Sequence, residues 1–195
     1  MTESRIGFIG GSGLYDIEGV DDARHVQVDT PFGVPSDSIL LGTMGPTEVA
    51  FLPRHGKNHR FSPSDIPVRA NIYALKSVGV GQIVALSAVG SMKEELSPLD
   101  LVIPDQIIDR TKGRQTTFFE AGIVAHIGFA DPFCSELSMV AFNAACAEGI
   151  NTHHGGTYLA IEGPQFSTRA ESDMYRSWGA SVIGMTALPE AKLAR

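Results

Sequence analysis

The sequence has little of what marks secreted and membrane-bound proteins. Its 195 residues include only two cysteines, Cys134 and Cys146, and no Cys-x-x-Cys pair, which is too few for a disulfide framework. We expect both thiols to be reduced and buried, as in cytosolic proteins. The N-terminus lacks the basic start and apolar stretch of a signal peptide, and no apolar run approaches the roughly 18 residues of a membrane helix.

Charge is also scarce and of the wrong sign for binding nucleic acid. Charged residues make up 19% of the chain and the net charge is −7. This balance argues against a broad nucleic-acid or anionic-membrane surface, although a local anion site stays compatible with it. Apolar residues make up 43%, a globular composition. We therefore expect a cytoplasmic protein with no nucleic-acid or membrane partner.

Short apolar runs alternate with helical patterns along the chain. The predicted strands are residues 6–9, 25–28, 38–42, 48–53, 82–88, 101–108, 157–161 and 182–185. The predicted helices are residues 68–78, 135–148 with Ser135 as cap, 171–178 and 189–195. This alternation predicts the α/β class, with a mixed central β-sheet flanked by helices. The length favours one domain over residues 1–195.

A glycine-rich segment, Ile9-Gly10-Gly11-Ser12-Gly13-Leu14, follows the first predicted strand. Its glycines allow backbone N–H groups to approach an anion, and Ser12 adds a hydroxyl donor. A tight turn without a ligand explains the same composition. The segment is not a dinucleotide fingerprint, because Asp16 stands where the third glycine is needed, and no Gly-Lys-Ser/Thr follows. A nicotinamide dehydrogenase is therefore disfavoured.

Two further predicted strands end in Pro53-Arg54-His55-Gly56 and in Ser87-Ala88-Val89-Gly90-Ser91. Arginine offers phosphate a fixed fork of donors, and histidine donates from either ring nitrogen. Ligands of open α/β sheets gather at the carboxyl ends of strands. The alternatives are a surface arginine beside a hydrogen-bonded histidine, and a turn capped by hydroxyls. His59 and Arg60 are interpreted as solvated loop residues.

Two late segments could contact a base and a sugar: Ile161-Glu162-Gly163-Pro164-Gln165-Phe166-Ser167-Thr168-Arg169 and Val182-Ile183-Gly184-Met185-Thr186. Phe166 offers a flat ring for a base, and the serine after it offers a donor or acceptor. Glu162 could bind a sugar hydroxyl or pair with the arginine that ends its segment. Met185 could pack against a sugar or a thioether, or belong only to the core.

Taken together, these segments resemble the methylthioadenosine phosphorylase group of the trimeric purine nucleoside phosphorylase family. The resemblance covers nearly the whole chain in the family's order. It is carried by Ile9-Gly10-Gly11-Ser12-Gly13-Leu14-Tyr15-Asp16, Asp29-Thr30-Pro31-Phe32-Gly33, Arg54-His55-Gly56, Glu162-Gly163-Pro164-Gln165-Phe166-Ser167-Thr168-Arg169-Ala170-Glu171 and Gly184-Met185-Thr186. It implies the nucleoside phosphorylase fold and a homotrimer that acts in purine and methionine salvage.

The resemblance also implies a reaction and its binding residues. Phosphate would attack C1′ of 5′-methylthioadenosine and release adenine and 5-methylthioribose 1-phosphate, with no metal or cofactor beyond phosphate as co-substrate. The implied phosphate-binding residues are Ser12, Arg54, His55, Ser87, Ala88 and Thr186. The implied nucleoside-binding residues are Met185 at the ribose, Phe166, Ser167 and Ile183 at the base, and His126 contributed by a neighbouring subunit.

The sequence departs from the family in two respects. Ser12 and Ser87 stand where threonine is common, and each keeps the hydroxyl. The family also continues beyond Arg195, into a part that carries the aspartate thought to protonate the leaving purine. No catalytic residue is therefore assigned, and we expect a domain truncated at its C-terminus. Loss of such an acid costs roughly 10²–10⁴-fold in rate.

Two alternatives to methylthioadenosine phosphorolysis follow from these observations. The first, in the same class, is phosphorolysis of inosine, guanosine or methylthioinosine. The second is an inactive truncated fragment that binds phosphate at most. Release of adenine that depends on phosphate would separate the enzyme from the fragment.

Overall fold

The computed structural model describes residues 5–11, 17–120 and 122–195, and the chain divides into two compact units. The first unit comprises Met1–Ala88, Gln115–Phe118 and Ala194. The second comprises Val89–Arg114, Phe119–Leu193 and Arg195. Strands and helices alternate along the chain and the sheets are mixed, which confirms the predicted α/β class. A single domain over residues 1–195 stays a prediction.

The first unit is built on a five-stranded sheet in the order β2-β3-β4-β1-β5. Its strands are β1 (Arg5–Gly10), β2 (Asp21–Val26), β3 (Ile39–Met44), β4 (Thr47–Pro53) and β5 (Val80–Leu86). The first, fourth and fifth strands run parallel, whereas β2, β3 and β4 pair antiparallel. Four consecutive residues of β4 are buried, as expected for a strand covered on both faces.

Helix α1 (Val68–Ser77) supplies much of the first unit's core. It buries Val68, Ala70, Asn71, Ile72, Ala74 and Leu75. It ends because Gly79 adopts a φ of 88°, a left-handed conformation in which its N–H bonds back to the Lys76 carbonyl. The predicted helix over residues 68–78 is confirmed to within one residue.

The second unit contains a four-stranded sheet in the order β6-β11-β10-β8 and a two-stranded sheet of β7 and β9. The strands are β6 (Gly90–Ser91), β7 (Leu101–Ile103), β8 (Gln106–Arg110), β9 (Thr152–His154), β10 (Thr157–Ile161) and β11 (Ala180–Gly184). The helices are α2 (Ser135–Ala147), α3 (Arg169–Ser177) and α4 (Ala187–Ala194). Strands β8, β10 and β11 are parallel, and their apolar side chains form most of the core.

The single strand predicted over residues 101–108 is wrong, because the structure divides it into β7 and β8, which belong to different sheets. Proline has no N–H to donate to a strand ladder, so Pro104 interrupts the pairing. Asp105 then exchanges hydrogen bonds with Gly156: its backbone N–H donates to the Gly156 carbonyl, and its carboxylate accepts from the Gly156 N–H. The apolar pattern concealed this break.

The expected burial of both cysteines is wrong: Cys134 and Cys146 are free and exposed. Helix α2 buries only Ala145, so most of its apolar side chains are not enclosed within this chain. Ser135 is also not a cap; it is the first helical residue, and Cys134 takes the cap position without a side-chain bond. Among the described residues, no helix is both long and apolar enough to span a bilayer.

Candidate functional site

Three parallel strands of the first unit end level with one another. Gly10, the last residue of β1, pairs with Pro53 at the end of β4 and with Leu86 at the end of β5. Residues 54–56 and 87–88 therefore both begin at the carboxyl edge of this sheet. Carboxyl edges of parallel strands are where ligands of α/β proteins bind.

Arg54 crosses this edge and is almost completely buried, with 1% of its surface exposed. Its backbone N–H donates to the Gly10 carbonyl at 2.8 Å. Its guanidinium donates from Nη1 to the Leu86 carbonyl at 2.9 Å and from Nη2 to the Ile9 carbonyl at 3.3 Å. The alternative of a surface arginine is wrong. Burying a guanidinium is expensive unless it is hydrogen-bonded, and these contacts hold its positive charge at the strand ends.

His55 is buried beside it, and its proton position follows from its contacts. Its Nδ1 lies 2.9 Å from the Phe61 carbonyl oxygen, which can only accept, so Nδ1 carries a proton. The ring stacks on the exposed ring of His59, with centroids 4.0 Å apart. Gly56 follows with a φ of 67°, and a Cβ there would lie 2.6 Å from the Ser36 carbonyl oxygen. Glycine is therefore required where the chain turns after His55.

Ser36 and Asn71 support this turn, and sequence reasoning missed both. The Ser36 hydroxyl donates to the Pro53 carbonyl at 2.7 Å, and its N–H donates to the Asn71 side-chain oxygen at 2.7 Å. Arg60, exposed as predicted, also donates to the Ser36 carbonyl. Both Ser36 and Asn71 are fully buried polar residues. Their positions follow no motif, because the contact depends on folding a loop onto a helix 35 residues later.

Ser87 and Ala88 follow β5 directly and are exposed. They share the sheet edge with Arg54, whose guanidinium contacts the carbonyl of the residue before Ser87. Ser12 lies outside the described residues, as does the rest of residues 12–16. The first unit thus brings together four of the residues for which the resemblance implies phosphate contact.

The second unit has a comparable edge where β8, β10 and β11 end. Ile161 pairs with Arg110, and Ala160 pairs with Gly184. Met185 and Thr186 follow β11 at this edge; Met185 is half-buried and Thr186 is buried. The side chains of Ile183 and Met185 both pack against the core cluster that contains Leu159. Both roles left open for Met185, core packing and sugar contact, are compatible with this position.

The residues with implied base contacts lie on the segment that leads into α3. Ser167 is half-buried, and its hydroxyl lies 2.8 Å from that of Ser172. Phe166 is 87% exposed. Thr168 and Glu171 form a capping box, each bonding the backbone N–H of the other, which explains why the helix begins two residues before the predicted start. His126 is exposed, in a stretch without helix or strand.

Arg114 is a third residue of the site that sequence reasoning missed, after Ser36 and Asn71 in the first unit. Its side chain is 5% exposed and donates to the carboxylate of Glu162 and to the carbonyls of Glu162, Met185 and Leu188. Sequence reasoning considered a sugar hydroxyl or Arg169 as the partner of Glu162, and the ion pair that the structure shows is with Arg114. Gly163, with a φ of 71°, lies against the Met185 sulfur.

Asp109, near the end of β8, forms an ion pair with Lys192 of α4 at 2.5 Å. Burial raises the pKa of Asp109, but hydrogen bonds from Lys192 and Thr111 outweigh burial, and the pKa is lowered from its ordinary value of 3.8. Asp109 is therefore ionised at neutral pH. Within the described ranges, no group of three or more His, Cys, Asp or Glu side chains could hold a metal ion.

Comparison with known proteins decides the family. The model of the family described as the phosphorylase superfamily matches residues 5–195. The chain belongs to this superfamily. Among curated relatives, it is 57% identical over 193 residues to the S-methyl-5′-thioadenosine phosphorylase of Koribacter versatilis (strain Ellin345), covering 99% of this chain and 66% of the relative. It is likewise 57% identical over 194 residues to the enzyme of that name from Geobacter sulfurreducens, covering 99% and 68%.

Solved structures of this superfamily show the same fold. A methylthioadenosine phosphorylase from an antarctic soil metagenomic library matches with a TM-score of 0.94 at 54% identity, covering 98% of this chain and 68% of that one. The Schistosoma mansoni methylthioadenosine phosphorylase in complex with tubercidin matches with a TM-score of 0.93 at 37% identity, covering 98% and 75%. The expected nucleoside phosphorylase fold is confirmed. This superfamily member spans about two thirds of the length of its curated relatives.

Proposed function

We propose that the chain carries out the phosphorolysis of 5′-methylthioadenosine, giving adenine and 5-methylthioribose 1-phosphate. Relatives named S-methyl-5′-thioadenosine phosphorylase, at 52–57% identity, support this substrate. The observation that carries the proposal is the buried Arg54, held by carbonyls at the carboxyl edge of β1 and β5 with His55 next to it. A fixed cation at such an edge suits an anionic co-substrate.

In this proposal, phosphate binds through charge-assisted and neutral donors. Arg54 supplies a permanent positive charge, and His55 donates a hydrogen bond when Nε2 is protonated, because Nδ1 already donates to Phe61. Ser87 and Ala88 lie at the same edge and supply a hydroxyl and backbone N–H groups. Ser12 and Thr186 complete the proposed set of phosphate-binding residues. Phosphate is a co-substrate, and the proposed reaction uses no cofactor or metal.

The nucleoside is proposed to bind through the second group of residues. Met185 contacts the ribose, and Phe166, Ser167 and Ile183 contact the purine. His126 acts on the pocket of a neighbouring subunit in a homotrimer, which suits its exposed position. Cytoplasmic purine and methionine salvage is the proposed setting.

The chemistry follows from charge and orientation. Cleavage of the glycosidic bond passes through a sugar with oxocarbenium character, so the protein needs no nucleophile of its own. Its contribution is to hold the phosphate anion close to the developing positive charge at C1′ and in line with the bond that breaks. Arg54 and His55 orient the anion in this scheme, and no residue of the chain is assigned as the acid that protonates adenine.

The test is adenine release from methylthioadenosine by the purified chain, with and without phosphate. We expect release only with phosphate, and lower kcat/KM with inosine, guanosine and methylthioinosine. A full-length relative assayed alongside shows that the conditions support the reaction. No release from this chain while the relative is active, or higher kcat/KM with a 6-oxo purine nucleoside, would overturn the proposal.

A further inference from the structure

Arg114 connects the ends of two parallel strands in the second unit. It follows β8 after a turn at Gly113, where φ is 69°, and only 5% of its side chain is exposed. Its Nη2 donates to the Glu162 carbonyl at 2.6 Å, just after β10. Its Nη1 donates to the Met185 carbonyl at 2.6 Å, just after β11. One rigid guanidinium therefore fixes the distance between the two carbonyls at which these strands end.

The same Nη1 also donates to the Leu188 carbonyl at 2.7 Å, near the start of α4. Carbonyls beyond the last ladder pair of a sheet have no strand partner, and leaving them unpaired in a buried place is unfavourable. Arg114 satisfies two such carbonyls, those of Glu162 and Met185, and also the Leu188 carbonyl in the first turn of α4. A lysine cannot do this, because its single nitrogen cannot reproduce the planar fork.

Glu162 keeps the guanidinium in place. Its Oε1 accepts from Arg114 Nε at 3.2 Å, and its Oε2 accepts from the Lys112 N–H at 2.5 Å. The carboxylate thus neutralises the buried cation and ties it to the loop from which it projects. A buried charge with a paired counter-charge and satisfied donors is stable in one geometry.

Gly163 shows how closely the two strand ends approach. A Cβ on Gly163 would lie 2.5 Å from the sulfur of Met185, so the turn after β10 and the Met185 side chain are in direct contact. The position of Met185 then depends on the separation that Arg114 sets. This residue is the proposed ribose contact, and the turn leads to Phe166 and Ser167, the proposed base contacts.

We propose that Arg114 is a positioning residue: it holds Met185 and the turn after Glu162 in the arrangement that binds the nucleoside. The inference rests on the proposed function for the identity of the ligand. The geometric part of the inference is independent of the proposed function, since Arg114 positions Met185 whether or not substrate is present.

The kinetic test is a double-mutant cycle between Arg114→Lys and Met185→Ala, with methylthioadenosine and phosphate. Each single variant is expected to raise the KM for methylthioadenosine about tenfold, since small displacements in a site have large kinetic effects. The KM of the double variant is expected to lie within about twofold of the higher of the two single-variant KM values, because both substitutions disrupt the same arrangement of Met185. Effects that multiply would overturn the proposal. Arg176→Gln, at an exposed i,i+3 pair with Asp173, is the matched control.

A second readout needs no activity. In the ligand-free chain with ¹³C-methyl methionine, Arg114→Lys is expected to shift or broaden the Met185 methyl resonance and to leave the exposed Met44 and Met139 unchanged. Glu162→Gln is expected to shift the Met185 resonance in the same direction by a smaller amount. It replaces Arg114→Lys as the test variant if Arg114→Lys does not fold. An unchanged Met185 resonance would overturn the positioning role. Absence of phosphorolysis by the wild-type chain alongside a shifted resonance would overturn only the proposed function.

Discussion

Gly163 lies so close to Met185 that an alanine at this position would displace the Met185 side chain: a Cβ would come within 2.5 Å of the sulfur and 3.3 Å of Cγ and Cε. The same glycine has a φ of 71°, where L side chains are strained. Side-chain contact and backbone conformation therefore both favour glycine in the turn after β10.

These two reasons can be separated by Gly163→Ala and Gly179→Ala. Gly179 also has a left-handed φ, 84°, but among the described residues other than its chain neighbours no atom lies within 4 Å of the position that an alanine Cβ would take there. We expect Gly179→Ala to lower the free energy of unfolding by about 1–2 kcal/mol from backbone strain alone. Gly163→Ala should cost a further ~1–3 kcal/mol from overpacking and raise the KM for methylthioadenosine. Denaturant unfolding measures the first effect. Equal losses of unfolding free energy in the two variants would contradict a close contact between Gly163 and Met185.

Arg54 provides the most specific test of the phosphate side. Arg54→Lys keeps a positive charge, but a lysine has one side-chain nitrogen. That nitrogen cannot replace the fork of donors that bonds the Leu86 carbonyl, the Ile9 carbonyl and phosphate. We expect the KM for phosphate to rise at least about tenfold, the equivalent of one lost charge-assisted bond. Arg24→Lys on the exposed strand β2 is the control and should leave the KM for phosphate unchanged. Unaltered phosphate affinity in Arg54→Lys and Arg54→Ala would refute the assignment.

The buried hydroxyl of Tyr158 has no hydrogen-bond partner among the described residues, and the side chain is 4% exposed. Removing a buried donor that bonds to nothing removes a desolvation penalty and little else. Tyr158→Phe is therefore expected to leave the free energy of unfolding unchanged or to raise it by up to ~1 kcal/mol. Thermal and urea unfolding check this. A clear loss of stability would show that the hydroxyl is bonded in solution.

The ion pair between Lys192 and Asp109 predicts that the stability of the chain depends on pH. Because the folded pKa of Asp109 is lowered, its contribution is fully present above the ordinary carboxyl pKa of 3.8 and is lost as pH falls through the lowered folded value. Lys192→Met should destabilise the chain at neutral pH, and the difference from wild type should shrink below about pH 4. Unfolding at a series of pH values measures it. A constant difference across that range would exclude the ion pair as the cause.

The sequence predicted those parts of the fold that depend on local pattern. Continuous apolar runs indicated β1, β4 and β10, and helical spacing ended by Gly79 indicated α1. The break at Pro104 was missed because the apolar residues on both sides follow one pattern. The exposure of Cys146 was missed for a related reason: the composition of α2 is that of a buried helix, although it packs little within this chain.

The supporting residues of the site were harder to find than the residues they support. Arg54 and His55 stand in a motif at a strand end, so their placement at the sheet edge could be expected. Arg114 and Ser36 donate to backbone carbonyls that lie 17 to 74 positions away in the sequence. Contacts with backbone carbonyls at such separations produce no recognisable sequence motif. Only the three-dimensional arrangement identifies them.

In the proposed reaction, an oxygen of inorganic phosphate bonds to C1′ of the sugar as the bond to adenine breaks. The most direct measurement is ³¹P NMR of the chain incubated with methylthioadenosine and inorganic phosphate, with adenine measured in the same sample. We expect a sugar 1-phosphate resonance to grow as the inorganic phosphate resonance falls, one equivalent for each adenine released. Adenine released without loss of inorganic phosphate would mean that the chain hydrolyses the nucleoside, and would contradict phosphorolysis.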